Sequence, residues 1–393
     1  MDKPYYQRIF VIIIDSLGIG ATPDAVSFNS LGADTLGHLD AHFRMRLQLP
    51  TLQSLGLGNL HPTMGMPSLL TPRAVFGKIH PCSIGISDRE SQWEMMGLPT
   101  LEMPAIFVGG VPVAIVNHFQ QRIKRPVIAN SRMNLRAALQ NYGMEQLKTS
   151  GLIIFTDSSS TVWLVAHEDT ASVSSLKKYC ITLRKILDEA GYKIEKVNGV
   201  LFKGQTITNF FPCALYSSPL MPPDSTILDT LRANNYTVSM IGKTAEIFGE
   251  GSKNRDENNL EWLRALDETI TKDFAGLCVT DLGEFDYQYG QKRNPEGFGS
   301  ELMRVDKKLS QVIKKLHSTD LIILTGNYGN DPSYPGEFHT REYVPLMVWS
   351  PRLDVSEELP IRLSLADIGA TILDNFGLIT KTTYGRSFLN SLV

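Results

Sequence analysis

The sequence predicts an α/β fold in which helices cover both faces of a mostly parallel β-sheet, and in which a second, α+β domain is inserted. Three observations indicate this fold. Short apolar segments alternate with segments of helical period in the first and last parts of the chain. These apolar segments are continuously hydrophobic, which is typical of strands buried on both faces. The middle third of the chain lacks that alternation.

Four apolar segments are predicted to be strands of the parallel sheet. They are residues 9–14, residues 236–241, the apolar part of residues 274–286, and residues 321–324. A further strand is predicted at residues 344–349. Because the carboxyl ends of parallel strands line one crevice, the polar residues that follow the four strands are expected to lie near one another. They are Asp15, Lys243, Asp286 and the loop from Asn327 to His339.

Two amphipathic segments in the last part of the chain are predicted to be helices that cover the sheet. In residues 300–318, apolar residues recur at the spacing of one helix face. A second segment, residues 364–378, has the same kind of apolar stripe. Alternation of such helices with buried strands favours a sheet covered on both faces.

The middle of the chain is predicted to be an inserted cap domain, residues 100–220, within a core domain of residues 1–99 and 221–393. Short strands are predicted in residues 125–130, 151–156 and 161–168, and a strand-and-turn region follows in residues 196–211. Between them lies a helix that ends at Gly191, since glycine commonly terminates helices.

Composition and charge narrow the classes of function. The 393 residues carry a net charge of -3, with 20% charged and 42% hydrophobic residues, which favours neither nucleic acid nor a membrane surface as partner. The four cysteines form no CxxC motif, so a disulfide framework or zinc site is not expected. The first residues lack the features of a signal peptide, and a cytoplasmic protein is expected.

The polar residues at the strand ends suggest a site for a divalent cation. Several carboxylates and one histidine can bind a hard ion such as Mn²⁺ or Mg²⁺. Each acidic residue, taken alone, could equally cap a helix or satisfy a loop. Their convergence at one edge of the sheet favours a site.

Six motifs, in order along the chain, are those of a known family. They are IDSLGIGATPDA, GADTLGHL, LPTLQSLGLGNL, WEMMGL, IGKTAEIFGEG and GNDPSYPGEFHTREYVPL. On these motifs the chain, from Ile14 to Leu346, resembles phosphopentomutase, a family of alkaline-phosphatase-like metalloenzymes. The resemblance implies an alkaline-phosphatase-like core with an inserted cap. It also implies a pair of Mn²⁺ ions, a phosphorylated threonine, and interconversion of ribose 1-phosphate and ribose 5-phosphate in nucleoside salvage.

The resemblance implies metal-ligand positions that this chain keeps only in part. The kept positions are Asp15, Asp286 and His339, and the changed positions are Gln291, Asn327 and Tyr328. Neutral amides and a phenol bind divalent ions far more weakly than carboxylates and imidazoles do. At most one metal ion is therefore expected, at Asp286 and His339, or none.

The position of the family's nucleophilic threonine falls on Asp88. A carboxylate there could accept a phosphoryl group as an acyl phosphate, although the hydroxyl nucleophile is lost. The neighbouring Arg89 could place its guanidinium where a metal ion lies in the family, or it could be an exposed loop residue. Lys243 keeps a substrate-binding position, whereas Ser159 in the cap replaces an aspartate.

Three functions remain open at this point, and whether the chain is an enzyme is not decided. We favour a phosphopentomutase-like protein with impaired or lost mutase activity that retains binding of a phosphosugar or of a partner protein. The second is a metal-dependent phosphomutase or phosphatase on pentose phosphates, with an altered metal site or with Asp88 as nucleophile. The third is a working phosphopentomutase.

Overall fold

The computed structural model describes residues 4–157, 160–250, 258–336, 339–379 and 384–393. The chain forms two compact units, Met1–Leu101 with Pro222–Val393, and Glu102–Met221. The strands are β1 (Arg8–Ile13), β2 (Val75–Ile79), β3 (Val127–Arg132), β4 (Leu152–Thr156), β5 (Thr161–His167), β6 (Lys196–Lys203), β7 (Phe211–Pro219), β8 (Thr237–Ile241), β9 (Gly276–Asp281), β10 (Asp320–Thr325), β11 (Val344–Trp349) and β12 (Glu357–Glu358). The helices are α1 (Thr35–His42), α2 (Pro50–Ser54), α3 (Leu57–Leu60), α4 (Asp88–Met95), α5 (Val113–Ile123), α6 (Leu135–Thr149), α7 (Val173–Glu189), α8 (Ile227–Ala233), α9 (Thr244–Ile247), α10 (Asn259–Ile270), α11 (Pro295–Ile313) and α12 (Ala366–Asn375).

The larger unit contains a seven-stranded sheet in the order β12-β2-β11-β10-β1-β9-β8. Strands β10, β1, β9 and β8 are parallel, which confirms the predicted mostly parallel sheet. Strand β11 runs antiparallel to both β10 and β2. The described residues between β10 and β11 contain no helix to carry the chain back across the sheet, as a parallel connection would require.

Strand β1 shows why both faces of this sheet are covered. Phe10 and Ile12 point into one buried cluster, and Ile9, Val11 and Ile13 point into another. Each fully buried side chain of this kind contributes about 1.5–3 kcal/mol of hydrophobic stabilisation. The first cluster is completed by α1, α2, α3, α10 and α11, and the second by α4, α8 and α12.

Helix α11 begins earlier than the amphipathic pattern predicted. The Asn294 side chain accepts a hydrogen bond from the N–H of Gly297, and Pro295 occupies the first turn. Asparagine at the cap and proline at the first helical position are both typical helix starts. The first turn therefore forms from local capping before the apolar stripe begins.

The smaller unit contains a five-stranded sheet in the order β3-β4-β5-β6-β7. Helices α5 and α7 pack on one face of this sheet and α6 packs on the other. Helix α7 ends at Glu189, and Gly191 then adopts φ 79°, a left-handed conformation that favours glycine. Across the described residues, no helix combines the length and apolar character needed to cross a membrane.

Candidate functional site

The candidate site lies at the carboxyl edge of the larger sheet. Strands β1, β9 and β10 end at one level, because Ile13 pairs in register with both Asp281 and Thr325. The residues that follow these strands therefore emerge side by side. This register brings together the residues that the sequence placed after separate strands.

Three carboxylates meet at this edge. Asp15, Asp88 and Asp286 each offer an oxygen that lies within 4.8 Å of those of the other two. The side chains of Asp15 and Asp286 are buried, whereas that of Asp88 is 24% exposed. Asp88 is the first residue of α4, so this helix delivers it to the edge of the sheet.

Lys243 supplies a cation between these carboxylates. Its Nζ lies 3.0 Å from Asp15 Oδ2, 3.0 Å from Asp88 Oδ2 and 3.9 Å from Asp286 Oδ2. Burial acts against the charged form, but Asp15 and then Asp88 outweigh it, so the pKa of Lys243 is raised well above its usual value. The preceding Gly242 has φ 80°, and this turn after β8 directs the lysine inward.

Asn327 donates to two of the carboxylates. Its Nδ2 lies 2.8 Å from Asp15 Oδ1 and 3.2 Å from Asp88 Oδ1. Its Oδ1 accepts the backbone N–H groups of Ser16 and Tyr328, at 2.9 Å and 3.0 Å. Since both backbone groups are donors, the amide oxygen must face them and the NH₂ group must face the carboxylates.

The other two changed positions are donors as well. The hydroxyl of Tyr328 donates to Asp88 Oδ1 at 2.5 Å, and Nε2 of Gln291 donates to Asp286 Oδ2 at 2.6 Å. A π-helix, Phe285–Gly290, places Gln291 beside Asp286, because it stacks residues five apart on one face. Each changed position thus donates a hydrogen bond to a carboxylate instead of offering a lone pair to a metal ion.

His339 has oxygen acceptors at both ring nitrogens. Nδ1 lies 2.6 Å from the carbonyl oxygen of Ile86, and Nε2 lies 3.1 Å from Asp286 Oδ1. Burial lowers the pKa of His339, but the bond to Asp286 outweighs it and the pKa is raised. The imidazolium form satisfies both contacts, since both of its ring nitrogens carry a hydrogen.

The charges of the site come close to balance. Burial raises the pKa of Asp15 well above its usual value. Burial opposes ionisation of Asp88 too, but the Lys243 ammonium lowers its pKa. For Asp286, burial is likewise outweighed by the bond from His339, and the pKa is lowered. The ionised carboxylates of Asp88 and Asp286 therefore lie beside the Lys243 ammonium and the His339 imidazolium. This pairing limits the free-energy cost of burying the two negative charges.

Two contributors to the site were not singled out from the sequence. Ser16, at φ 65°, directs its Oγ to within 3.3 Å of Asp286 Oδ1. Asn330 donates from Nδ2 to the same oxygen at 2.7 Å. Both residues lie within the motifs that carry the resemblance. Ser16 directly follows Asp15 and Asn330 lies in the loop that begins at Asn327, and these positions could have indicated that both residues belong to the site.

The expectation for Arg89 requires correction. Arg89 forms an ion pair with Glu90, at 2.8 Å, and a cation–π contact with Trp93, at 5.4 Å. Its side chain is 9% exposed, so it is not an exposed loop residue either. The cation among the carboxylates is Lys243. Ser159 lies outside the described residues.

Comparison with known proteins assigns the chain to a family. Residues 7–380 match the family model described as Metalloenzyme superfamily, and the chain belongs to that superfamily. The chain is 37% identical over 393 residues to the phosphopentomutase of Levilactobacillus brevis, which covers 98% of this chain and 99% of the relative. It is 36% identical over 394 residues to the phosphopentomutase of Limosilactobacillus reuteri, with the same coverage. The chain is therefore a member of the phosphopentomutase family.

The solved structures that resemble this chain are more distant in sequence. A phosphoglycerate mutase of Leishmania mexicana has a TM-score of 0.41 at 12% identity, with 98% of each chain covered. An alkaline phosphatase of the Antarctic bacterium TAB5 has a TM-score of 0.37 at 12% identity, covering 96% of this chain and 100% of that chain.

Membership of the superfamily implies a divalent metal ion, and only some of the side chains at this site are suitable ligands for one. The carboxylate oxygens of Asp15, Asp88 and Asp286 are suitable ligands. The three changed positions, however, turn N–H or O–H groups toward those oxygens, and the Lys243 ammonium lies among them. These residues do not fit a centre of paired metal ions, and a single ion would compete with Lys243.

Proposed function

We propose that this chain is a phosphopentomutase-like protein that binds a pentose phosphate but lacks the metal-assisted mutase reaction. The observation that carries this proposal is the state of Asp88, at the position of the family's nucleophile. Its Oδ1 accepts from Tyr328 and Asn327, and its Oδ2 faces the Lys243 ammonium. A carboxylate held by three donors is a counterion in a network, not an activated hydroxyl.

The neighbouring hydroxyl of Ser87 is hydrogen-bonded outside the cluster of Asp15, Asp88 and Asp286. Ser87 Oγ donates to the Glu90 carboxylate, which Arg89 also contacts. Activation of a serine in a phosphoryl transfer needs a base or a metal ion at the oxygen and a cation at the phosphate. The hydroxyl of Ser87, which precedes α4, contacts Glu90 in the first turn of that helix, whereas the Lys243 ammonium contacts Asp15 and Asp88.

The proposed ligand class rests on the family and on a cation at the surface of the cluster, Lys243. The relatives carry the name phosphopentomutase, and a pentose phosphate is the ligand that this name implies. The Lys243 side chain is 25% exposed, so it can also face a phosphate from the solvent side. Ribose 5-phosphate and ribose 1-phosphate are the first ligands to test.

A direct experiment combines activity and binding. The purified chain is assayed for interconversion of ribose 1-phosphate and ribose 5-phosphate with Mn²⁺, beside the Levilactobacillus brevis relative as positive control. Calorimetry then measures binding of ribose 5-phosphate in the presence of a chelator. We expect no mutase turnover and measurable binding. Turnover comparable to that of the relative, with tightly bound paired Mn²⁺, would overturn the proposal.

A second candidate function is phosphoryl transfer through Asp88 itself. Asp88 is favoured for this role because it is the partly exposed carboxylate of the cluster and its pKa is lowered, so that it is ionised. The test is intact-mass spectrometry after incubation with ribose 1-phosphate. A mass increase of one phosphoryl group that hydroxylamine removes, and that Asp88→Asn abolishes, would establish an acyl phosphate. An unchanged mass excludes this candidate.

A further inference from the structure

We propose that Lys243 is a built-in counterion that takes the place of a divalent metal ion, so that the cluster of Asp15, Asp88 and Asp286 is stable without metal. The proposal deepens the proposed function and rests on it in one respect, the assignment of these residues to a site without paired metal ions. It concerns folding stability and metal binding, which are measured separately from activity.

The position of the ammonium supports this role. Nζ of Lys243 is equidistant, at 3.0 Å, from one oxygen of Asp15 and one of Asp88, and Asp286 is the next carboxylate at 3.9 Å. A bound Mg²⁺ ion lies about 2.0–2.1 Å from its oxygen ligands, and an ammonium group contacts oxygen at about 2.8–3.0 Å. The three carboxylates therefore surround a space that is filled by a larger, singly charged cation.

The charge balance requires a cation at this place. Asp15 is fully buried and Asp286 nearly so, and an ionised carboxylate within such a cluster is strongly unfavourable without a cation beside it. His339 compensates Asp286 through Nε2, at 3.1 Å. Among the described residues, Lys243 is the cation that contacts both Asp15 and Asp88. Removal of its charge leaves this pair with neutral donors only.

The neutral donors leave one oxygen of Asp15 and one of Asp88 for a cation. Asn327 binds Asp15 and Asp88 through one NH₂ group, and Tyr328 binds Asp88 through its hydroxyl. These donors occupy the Oδ1 atoms of the two carboxylates, whereas the ammonium faces their Oδ2 atoms. The lysine and the neutral donors are thus mutually compatible, and the Oδ2 atoms of Asp15 and Asp88 are the ones that face a cation.

This role predicts a latent metal site. Truncation of Lys243 to alanine removes the ammonium and leaves three convergent carboxylates, which are hard ligands suited to Mn²⁺. The variant Lys243→Ala should therefore gain Mn²⁺-dependent stability that the unmodified chain lacks. Lys308→Ala is a matched control, because Lys308 is also 25% exposed and pairs with one carboxylate, Asp267, at 2.8 Å.

The experiment measures thermal unfolding in EDTA and in MnCl₂, together with bound Mn²⁺ by electron paramagnetic resonance. The unmodified chain and Lys308→Ala should unfold at the same temperature in both solutions. Lys243→Ala should unfold at a lower temperature in EDTA and recover by at least ~3 °C when Mn²⁺ binds. A melting temperature of the unmodified chain that falls in EDTA, or a Lys243→Ala chain that ignores Mn²⁺, would overturn the proposal.

A second variant covers the case in which Lys243→Ala does not fold. The double variant Lys243→Ala with Asp88→Asn removes one charge of each sign, so it should fold without metal if Lys243 acts through its charge. A double variant that also fails to fold contradicts the proposal. Mutase turnover by the unmodified chain would end the proposed function without altering this comparison, so the two failures are distinguishable.

Discussion

Asn327 shows how a single side chain changes what a metal-binding position does. An aspartate of the same shape would offer lone pairs on both terminal atoms, whereas the amide offers a lone-pair side and a hydrogen side. The hydrogen side faces Asp15 and Asp88, and the oxygen faces two backbone N–H groups. The two contacts to Asp15 and Asp88 depend on the NH₂ group of an amide, whereas a carboxylate oxygen would also accept the two backbone N–H groups.

Replacement of Asn327 by aspartate should destabilise the chain by about 2–4 kcal/mol. The change removes a donor from two carboxylates and adds a third negative charge at their centre, where little water can screen it. Urea unfolding of Asn327→Asp measures the loss, and the exposed Asn390→Asp is the control, with a change of less than ~0.5 kcal/mol. Equal stability of the two variants would show that Asn327 does not hold the carboxylates together.

The residues of this site could be placed from the sequence better than their roles could. Parallel strands bring Asp15, Asp286 and Asn327 to one edge, and that follows from strand order in the chain. The role of Lys243 depends on a contact with Asp15 across 228 residues and on a left-handed turn before it, neither of which a sequence pattern encodes. Arg89 was considered for this role because it adjoins Asp88, but its guanidinium contacts the ring of Trp93 within helix α4.

The turn after β8 is the element that places Lys243. Gly242 has φ 80°, and a Cβ atom added there would lie 2.2 Å from the carbonyl oxygen of Asp281. No side chain fits that space unless the backbone of β9 or of the turn moves. The sequence motif therefore contains a glycine whose conformation and surroundings both exclude other residues.

The variant Gly242→Ala should lose at least ~2 kcal/mol more stability than Gly32→Ala. Both glycines adopt similar left-handed conformations, φ 80° and φ 85°, but the space around a Cβ at Gly32 is open. The shared conformational cost cancels in the comparison, and what remains is the clash with β9. Chemical denaturation of both variants gives the difference, and similar losses would mean that the turn relaxes freely.

Helix α4 is fixed at the end opposite to Asp88. Glu94 is fully buried, and its carboxylate accepts from the N–H groups of Cys82, Ser83 and Leu365 at 2.7–2.9 Å, and from the Ser364 hydroxyl. One side chain thus joins the helix to the loop before it and to the start of α12. The direction in which α4 carries Asp88 depends on this junction.

Truncation by Glu94→Ala should cost at least ~3 kcal/mol of unfolding free energy, since it leaves four buried donors without an acceptor. Guanidinium unfolding measures the effect. Glu268→Ala, on the exposed side of α10, provides the control and should change stability by less than ~0.5 kcal/mol. A loss below 1 kcal/mol at Glu94 would mean that water or a rearranged loop satisfies the donors.

The direction in which β10 and β11 pair could not be predicted from the sequence. Segments 321–324 and 344–349 were both recognisable as buried strands, and β10 and β11 appear there. Their antiparallel pairing was not recognisable, because apolar runs of this kind do not distinguish direction. The helices were predicted where an apolar stripe was present, but α11 begins at a cap that lies outside its stripe.

At the scale of the whole molecule, strands that are far apart in sequence form the centre of the larger unit. Strand β1 lies between β9 and β10, whose residues follow it by more than two hundred positions. Alternation of strands and helices predicts the fold class, but the strand order depends on packing of the complete chain. Packing between segments that are distant in sequence also buries acidic residues, although acidic residues usually lie on the surface. Glu342 is one of these buried residues.

Glu342 joins three separate parts of the larger unit. Its Oε2 accepts the backbone N–H groups of Gly20 and Thr35, and its Oε1 accepts the hydroxyls of Thr35 and Thr340. Burial raises the pKa of Glu342 from 4.5 to about 7, although these four hydrogen bonds act in the opposite direction. Global stability should therefore depend on pH through this residue.

The sign of this dependence follows from the two proton affinities. Between pH 4.5 and about 7, the unfolded chain has released the Glu342 proton and the folded chain still holds it. The contribution of Glu342 is therefore full below pH 4.5, falls by on the order of 3 kcal/mol as the pH rises to 7, and is constant above. Glu342→Gln keeps an oxygen for the two N–H groups and an NH₂ group for the two hydroxyls, but it does not titrate.

The stability of Glu342→Gln relative to the unmodified chain should consequently increase with pH from 5 to 7 and then level off. Urea unfolding at several pH values measures this difference, and subtraction of the two curves removes the contribution of all other titrating groups. Glu268→Gln, at an exposed position, should show a difference that does not vary with pH. A flat difference for Glu342→Gln as well would mean that Glu342 is ionised in the folded chain throughout this range, with its four donors outweighing burial.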